Sequence, residues 1–544
     1  MKANILNLFD RTIQESTLEL ENGRIISIVA HGRENPALPY ILPGFVDAHV
    51  HIESSMLTPS QFARLAVVHG TVGSVSDPHE IGNVLGIQGV QFMIEDSRRV
   101  PFKFSFGAPS CVPATPFETA GAVIGLKELR TLLSMKEVGY LAEMMNFPGV
   151  LNQDPEIMAK LLLAQAFNKP VDGHAPGLRG DSAKRYAEAG ISTDHECFTY
   201  DEAAEKLALG MHILIREGSA AKNFEALIPL LADFPEKIMF CSDDKHPDSL
   251  VEGHINSLVK RALAKGHDLF DILRAACLNP ILHYRLPVGL LREGDPADFI
   301  VVDSLTQFTI LQTYLNGEVV AENGISKIPD LRSEFINNFT CSPRQPADFQ
   351  FMIKESNPKL RVIEALDGQL ITNTLLKEIA VPEGHNFESD LTQDILKIVV
   401  INRYQEAPPA VAFITNFGLI KGAIASTVGH DSHNIIAVGC DDESLCRAVN
   451  AVIEAKGGIS AVCESSAHLL PLPIAGLMTD EDGYYVSERY TEIDLFVKDI
   501  MGSGLKSPFM TLSFMALLVI PSLKLSDLGL FDGDDFKFVT PIYS

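Results

Sequence analysis

The sequence predicts an α/β fold with a TIM-type (β/α)₈ barrel, a composite β-sandwich beside it and a C-terminal α+β domain. Two observations predict the barrel. Eight short apolar segments recur at a steady interval over about 240 residues, close to the roughly 250 residues typical of such barrels. Segments with helical spacing follow them, for example 59–69, 156–167 and 181–189. The predicted strands are residues 44–51, 71–77, 102–106, 139–144, 170–174, 191–195, 211–216 and 238–242.

The remaining segments predict two further domains around a barrel at 41–285. Residues 1–40 and 286–345 are rich in turns, and Asn316-Gly317 between apolar segments predicts a hairpin. Because the two ends of a domain usually lie close together, these segments are predicted to pair into one composite β-sandwich. Residues 346–544 combine strand candidates at 395–401, 410–415 and 434–438 with a helix at 442–456, which predicts an α+β domain.

The charge balance excludes several kinds of partner. The chain has 44 Lys and Arg against 70 Asp and Glu, a net charge of −26. Such a surface repels phosphate, so general binding to nucleic acid or to an anionic membrane is not expected. The N-terminal residues contain no apolar run of signal-peptide length, and the eight cysteines are scattered without a Cys-x-x-Cys pair. A cytoplasmic protein with free thiols is therefore expected.

Polar side chains stand at the same end of the predicted strands, where a parallel barrel has its active site. His49 and His51 close the first strand, and residues two apart on a strand point to the same side, so both imidazoles can face one ion. A simple hydrogen-bonded pair is the alternative. Glu143 is the lone carboxylate of an otherwise uncharged fourth strand, which is unfavourable unless it is paired or coordinated. The predicted metal ligands are His49, His51, Glu143, His174, His195 and Asp243.

This ligand set is large enough for two divalent ions. Four imidazoles and two carboxylates, with no thiolate, suit Mn²⁺, Fe²⁺ or Zn²⁺. Glu143 carries two oxygens and can therefore bridge two cations.

Longer strings around these residues resemble the bacterial adenine deaminase family of the amidohydrolase superfamily. The strings are PGFVDAHVH (43–51), HVHIESSM (49–56), DPHE (77–80), GHAPG (173–177), DHE (194–196), CSDDKH (241–246) and GDPADFIVV (294–302). The resemblance covers nearly the whole chain. It implies hydrolytic deamination of adenine to hypoxanthine and ammonia in purine salvage, by hydroxide generated at two manganese or iron ions, with zinc as a further option.

The resemblance also implies roles for individual residues. The six residues above would be the ligands, with Glu143 in the bridging place that a modified lysine holds in many relatives. Asp243 would accept the proton of the attacking hydroxide and pass it to the leaving amine. A ring nitrogen must also be protonated, for which the candidates are His79, Glu80, Glu196 and Asp244. Each could instead orient a ligand histidine through a hydrogen bond.

Two other polar groups have more than one interpretation. Arg216 and Glu217 could reach the substrate or form an ion pair at the barrel rim. The candidate substrate-binding residues are Glu196, Arg216 and Asp244. His430, Asp431 and His433 could belong to a hydrogen-bonded loop, to an auxiliary metal site or to a lid over the active site.

Two alternative functions remain open. One is another hydrolase of the superfamily, acting on a cyclic amide or on a different nucleobase. The other is a non-catalytic barrel protein, which the complete ligand set opposes. The expected partners are adenine and water, without nucleic acid or membrane, and the chain is expected to form a homodimer or a larger homo-oligomer.

Overall fold

The computed structural model of the protein describes residues 1–354 and 356–543. The N-terminal strands are β1 Lys2–Asn7, β2 Thr12–Glu21, β3 Arg24–Arg33 and β4 Tyr40–Pro43. The next strands are β5 Phe45–His51, β6 Thr71–Ser76, β7 Lys103–Ala108, β8 Val138–Met144, β9 Val171–Gly173, β10 Thr193–Asp194, β11 His212–Arg216, β12 Ile238–Cys241 and β13 Asp243–Asp244. They are followed by β14 Phe299–Val302, β15 Ile310–Leu315, β16 Glu318–Glu322 and β17 Ile325–Ser326. The C-terminal strands are β18 Lys359–Ala365, β19 Thr372–Glu378, β20 Leu396–Ile401, β21 Ala410–Thr415, β22 Ala423–Ser426, β23 Ile435–Gly439, β24 Gly458–Cys463, β25 Ser466–Pro471, β26 Leu523–Ser526, β27 Gly529–Asp532, β28 Lys537–Phe538 and β29 Ile542–Tyr543.

Helices alternate with the central strands and recur in the C-terminal part. They are α1 Pro59–Ala66, α2 His79–Leu85, α3 Ile87–Ser97, α4 Leu126–Leu133, α5 Phe147–Leu151, α6 Pro155–Ala166, α7 Gly180–Glu188, α8 Tyr200–Ala208, α9 Phe224–Leu227, α10 Pro247–Glu252, α11 Ile255–Ala264, α12 Leu269–Leu273, α13 Asn279–Tyr284, α14 Asp442–Glu454, α15 Gly483–Leu495 and α16 Pro508–Phe514. Short 3₁₀ turns occupy Ile52–Ser55, Val67–His69, Ile228–Ala232 and Pro346–Phe349, and π turns occupy Arg274–Leu278 and Phe496–Ile500. Within the described residues, none of these helices is both long and apolar enough to cross a membrane.

The central strands form a curled parallel sheet. Strands β5 to β9 pair in sequence order, and β10, β11 and β12 pair as a second group. On one side the amide of Ser192 donates to the carbonyl of Val171 at 2.9 Å and links the two groups. On the other side β13, which follows β12 after one residue, pairs with β5 at Val50 and continues the first group. The strands are buried on both faces, as expected for a sheet covered by helices. The predicted α/β barrel class is confirmed.

The fifth and sixth barrel strands are shorter than the predicted 170–174 and 191–195. The hydrogen-bonded ladder of β9 ends at Gly173, directly before His174, and that of β10 ends at Asp194, directly before His195. Each histidine therefore follows its strand as the first residue outside the ladder, where its side chain can turn towards the centre of the barrel.

Strands from the chain segments before and after the barrel form one eight-stranded sheet, in the order β17-β16-β15-β14-β4-β1-β2-β3. Successive side chains along these strands point to opposite faces of the sheet. Ile5, Ile41 and Phe299 belong to a small apolar cluster on one face. The residues that follow them, Leu6, Leu42 and Ile300, belong to the barrel core on the other face. The predicted hairpin is present, with Asn316 at φ 47° and Gly317 at φ 78°, the left-handed pair that a two-residue type I′ turn requires. The domain limits 1–40 with 286–345, 41–285 and 346–544 stay predictions.

The C-terminal part is rich in sheet. Its main sheet runs β19-β18-β21-β20-β23-β22-β24-β25, and β26 to β28 form a small antiparallel sheet. Helix α14 begins at an N-cap, where the amide of Ser444 donates to Asp441 at 2.7 Å, and packs Leu445 and Val449 against Val399 of β20. This part contacts the barrel mouth directly, since His246 and the Tyr490 hydroxyl lie 2.6 Å apart.

A buried lysine ties together three segments beside the predicted site. The Nζ atom of Lys206 on α8 lies 2.5 Å from Asp194 and 2.9 Å from Glu202, and it donates to the carbonyl of Ala175 at 2.7 Å. Lys206 is fully buried, so its removal would leave Asp194 charged and unpaired in the interior.

We expect Lys206→Met to lower the denaturation midpoint by an amount equivalent to about 3–5 kcal/mol, the usual result of breaking a buried ion pair. The control is Lys184→Met, which removes an exposed pair with Glu188 at 3.9 Å and should cost less than about 1 kcal/mol. Urea denaturation followed by circular dichroism measures both variants. Equal midpoints for the two would contradict the assigned role of Lys206.

Candidate metal centre and active site

The six predicted ligands lie together at the mouth of the barrel. The Nε2 atoms of His49 and His51 are 3.1 Å apart, and Asp243 Oδ1 lies 3.7 Å from the first and 3.4 Å from the second. Both histidines project from the same side of β5, as the strand period requires. Two imidazole nitrogens at this separation need a proton or a cation between them.

Glu143 stands between the two groups of histidines. Its Oε1 atom lies 3.6 Å from His51 Nε2, and its Oε2 atom lies 2.9 Å from His174 Nδ1 and 3.2 Å from His195 Nε2. Burial by itself would raise the pKa of Glu143, but His174 and His195 outweigh burial and hold the pKa well below its usual range. The carboxylate is therefore ionised, and its two oxygens face different partners.

Asp47 fixes the backbone on which Asp243 sits. It precedes His49 by two residues on β5, and its carboxylate accepts a 3.0 Å hydrogen bond from the amide of Ser242 and lies 2.7 Å from His254 Nε2. The next residue, Asp243, has a left-handed φ of 56°, which is uncommon for a residue with a side chain. This turn places Asp243 Oδ1 beside the histidines.

Arg216 and Glu196, two of the candidate substrate-binding residues, form a buried ion pair. Arg216 donates through both terminal nitrogens to Glu196, and one of them also reaches Asp243 Oδ2 at 2.6 Å. Burial would raise the pKa of Asp243, but Arg216 and His51 hold it well below its usual range. Glu217 pairs instead with Arg261 at 2.7 Å. Arg216 thus keeps Asp243 ionised and leaves its other oxygen for the histidines.

The remaining candidates, His79, Glu80 and Asp244, belong to a second polar group at the same mouth. His79 Nδ1 lies 3.3 Å from Glu143 Oε1. The Ser54 hydroxyl lies 3.0 Å from Glu80 Oε1 and 2.6 Å from Asp244 Oδ1. A hydroxyl carries one proton, so it can donate to one of these carboxyl groups and must accept from the other. Burial, together with Asp244 and Glu53, raises the pKa of Glu80 well above its usual range, which favours Glu80 as the carboxyl group that donates to Ser54.

The donor set fits divalent cations. Its side chains converge in overlapping groups whose ligand atoms lie within 4.8 Å of one another, among them His49, His195 and Asp243, and Glu143, His174 and His195. All of these side chains are buried, and His174 Nε2 has no hydrogen-bond partner among the described residues. Buried imidazole and carboxylate groups at this density, without a thiolate ligand, are typical of sites for Mn²⁺, Fe²⁺ or Zn²⁺.

Part of the cavity wall comes from the C-terminal part of the chain, including two residues for which the sequence left several roles open, His430 and Asp431. The C-terminal side of the cavity is formed by Leu370, His430, Asp431, Phe514 and Leu517. His430 and Asp431 thus line the cavity, whereas His433 Nδ1 accepts a 3.3 Å hydrogen bond from the amide of Gly429. An imidazole that accepts at Nδ1 carries its proton on Nε2, so His433 is arranged as a hydrogen-bond donor and does not offer a metal a free lone pair.

Comparison with known proteins agrees with this geometry. Residues 40–320 match the model of the amidohydrolase family, and residues 369–537 match the adenine deaminase C-terminal domain. An adenine deaminase of Sulfurovum sp. (strain NBC37-1) is 56% identical over 99% of both chains, and that of Salinibacter ruber is 55% identical over 98% of this chain and 97% of its own. An adenine deaminase of Methanosarcina mazei is 50% identical over 98% of each chain.

The two family models fall on the two parts that build the cavity, and the relatives match from end to end. This confirms the resemblance inferred from the strings. The chain belongs to the adenine deaminase family of amidohydrolases.

Proposed function

We propose that this protein hydrolyses adenine to hypoxanthine and ammonia at the barrel mouth. The observation that carries the proposal is the position of Glu143, whose two oxygens face separate histidine groups in a chain that matches adenine deaminases over its whole length. Ring opening of a cyclic amide is not supported by the names of these relatives. A purely structural barrel would not need so many buried titratable groups converging on one point.

The residues divide into those that hold cations and those that move protons. His49, His51 and Asp243 would hold one cation and His174 and His195 the other, with Glu143 between them. Bound cations would supply a nucleophile at neutral pH by lowering the pKa of water from 15.7 towards about 7. Asp243 would accept a proton from the attacking water and deliver it to the leaving amino group. His79, which lines the cavity, and Glu80, the next residue in the chain, are the proposed proton donors to a ring nitrogen.

Manganese or iron is the proposed metal, with zinc as a further option, because hard nitrogen and oxygen donors make up the whole set. We also propose a role in purine salvage in the cytoplasm. All eight cysteines are buried and none is disulfide-bonded in the described part of the chain, as in proteins of reducing compartments. A homodimer or larger homo-oligomer is proposed from the family resemblance, and the molecular mass in solution tests it.

Asp243→Asn should lower kcat for adenine by on the order of 10²–10⁴-fold, because the amide cannot accept the proton. This loss of turnover should be far larger than any loss of folding stability, since Arg216 keeps its ion pair with Glu196. Ammonia release measures turnover, and Asp233→Asn, which changes an exposed carboxylate of the barrel, is the control. Wild-type turnover in a metal-loaded Asp243→Asn protein would refute the role of this residue.

Glu143→Gln should bind fewer metal ions while the chain stays folded, because a neutral amide is a poor bridge between cations. Elemental analysis should give about two ions per chain for the wild type, as in two-metal hydrolases. The variant should retain one or none. The control is Glu156→Gln on the exposed face of α6. An unchanged metal content in Glu143→Gln would show that Glu143 does not bridge.

A further inference from the structure

The C-terminal side of the cavity combines an apolar face with two polar side chains. Leu370, Phe514 and Leu517 supply the apolar part, and His430 stacks on Phe514 with ring centroids 5.0 Å apart and an interplanar angle of 26°. A flat apolar face opposite a polar metal centre suits an aromatic ring that reacts at one edge. Groups that recognise the base are therefore expected in this wall.

The wall is held rigidly in place. Lys524 is fully buried, and its Nζ atom donates to the carbonyls of Leu370 at 2.5 Å and Phe514 at 2.9 Å. The amide of His430 donates to the carbonyl of Ser513 at 3.1 Å, and the Tyr404 hydroxyl donates to the carbonyl of Ser432 at 2.6 Å. These bonds join the three segments of the wall, so the loop 429–433 is preorganised for a ligand.

Asp431 has an unused acceptor in this wall. Its side chain is 4% exposed, its Oδ1 atom lies 3.7 Å from His79 Nε2, and its Oδ2 atom has no hydrogen-bond partner among the described residues. A buried carboxylate oxygen without a partner is unfavourable. A carboxylate oxygen accepts hydrogen bonds, so a ligand that offers a donor at this point would satisfy Asp431 Oδ2.

The position of Asp431 relative to the metal centre indicates which donor this is. His79 spans the distance between them, with Nδ1 3.3 Å from Glu143 Oε1 and Nε2 3.7 Å from Asp431 Oδ1. The imidazole ring of His79 therefore lies between Asp431 and Glu143 and contacts both carboxylates. A purine whose six-membered ring reacts at the metal centre would point its five-membered ring towards the C-terminal wall.

We propose that Asp431 accepts a hydrogen bond from the N–H of the five-membered ring of adenine and thereby selects the free base. This inference rests on the proposed function. In a nucleoside the sugar replaces that proton, so Asp431 would lose its donor and the wall would lie where the sugar must go. Loop 429–433 thus contacts the ring nitrogen that carries a proton in the base and a sugar in its nucleosides.

The test compares adenine with 9-methyladenine, which lacks the ring N–H. Asp431→Ala should raise KM for adenine about 10- to 100-fold, the range expected for a hydrogen bond to a charged group, with kcat changed much less. The preference for adenine over 9-methyladenine, measured as the ratio of KM for adenine to the inhibition constant of 9-methyladenine, should fall by a similar factor. Asp431→Asn keeps an acceptor oxygen and should lose less of both.

Glu406→Ala is the control, since Glu406 is an exposed carboxylate of the same part of the chain. If Asp431 only positions His79, then kcat will fall while KM and the preference stay unchanged, and the proposal is overturned. If Asp431→Ala does not fold, Asp431→Leu decides, because leucine is of similar size but has no acceptor, and an unaltered preference in that variant also overturns the proposal. Absence of adenine turnover in the metal-loaded wild type would instead refute the proposed function, before any variant is compared.

Discussion

Glu143 is the constraint on which the site depends. A carboxylate at the end of an apolar strand is tolerated only if its charge is compensated, and both oxygens are compensated by imidazoles on separate strands. The ends of β5, β9 and β10 must therefore approach β8 closely, and the parallel arrangement of the barrel allows this. Fold and site are determined together here, because the interaction that stabilises the buried charge also brings the ligands into contact.

The buried carboxylates around Glu143 also need partners of opposite charge. Arg216 compensates both Glu196 and Asp243, and Lys206 compensates Asp194, so these three buried carboxylates each have a buried Arg or Lys as partner. Breaking such pairs is expensive, although replacing both partners by apolar groups often is not. The pairs are therefore better understood as fixing the positions and ionisation of the ligands than as a source of stability.

The barrel and the ligand set could be predicted from the sequence because both follow from short-range patterns. Strand period places His49 and His51 on one side, and the order of parallel strands brings distant strand ends to one mouth. The pairing of Arg216 with Glu196 and Asp243, and the link from Ser54 to Glu80 and Asp244, could not be predicted, since they depend on how long side chains pack. The role of Asp431 stayed open between a loop, an auxiliary metal site and a lid, because its place beside His79 arises from packing between segments more than 300 residues apart in the chain.

The cavity takes its chemistry from one part of the chain and its far wall from another. Leu370, Phe514 and the loop 429–433 cover the mouth of the barrel, and Lys524 anchors two of these segments through backbone carbonyls. Because this wall and the proposed metal ligands belong to different parts of the chain, a change in how the C-terminal part packs on the barrel would reshape the cavity and leave the ligands in place. The fit of the base and the chemistry at the strand ends can therefore change separately.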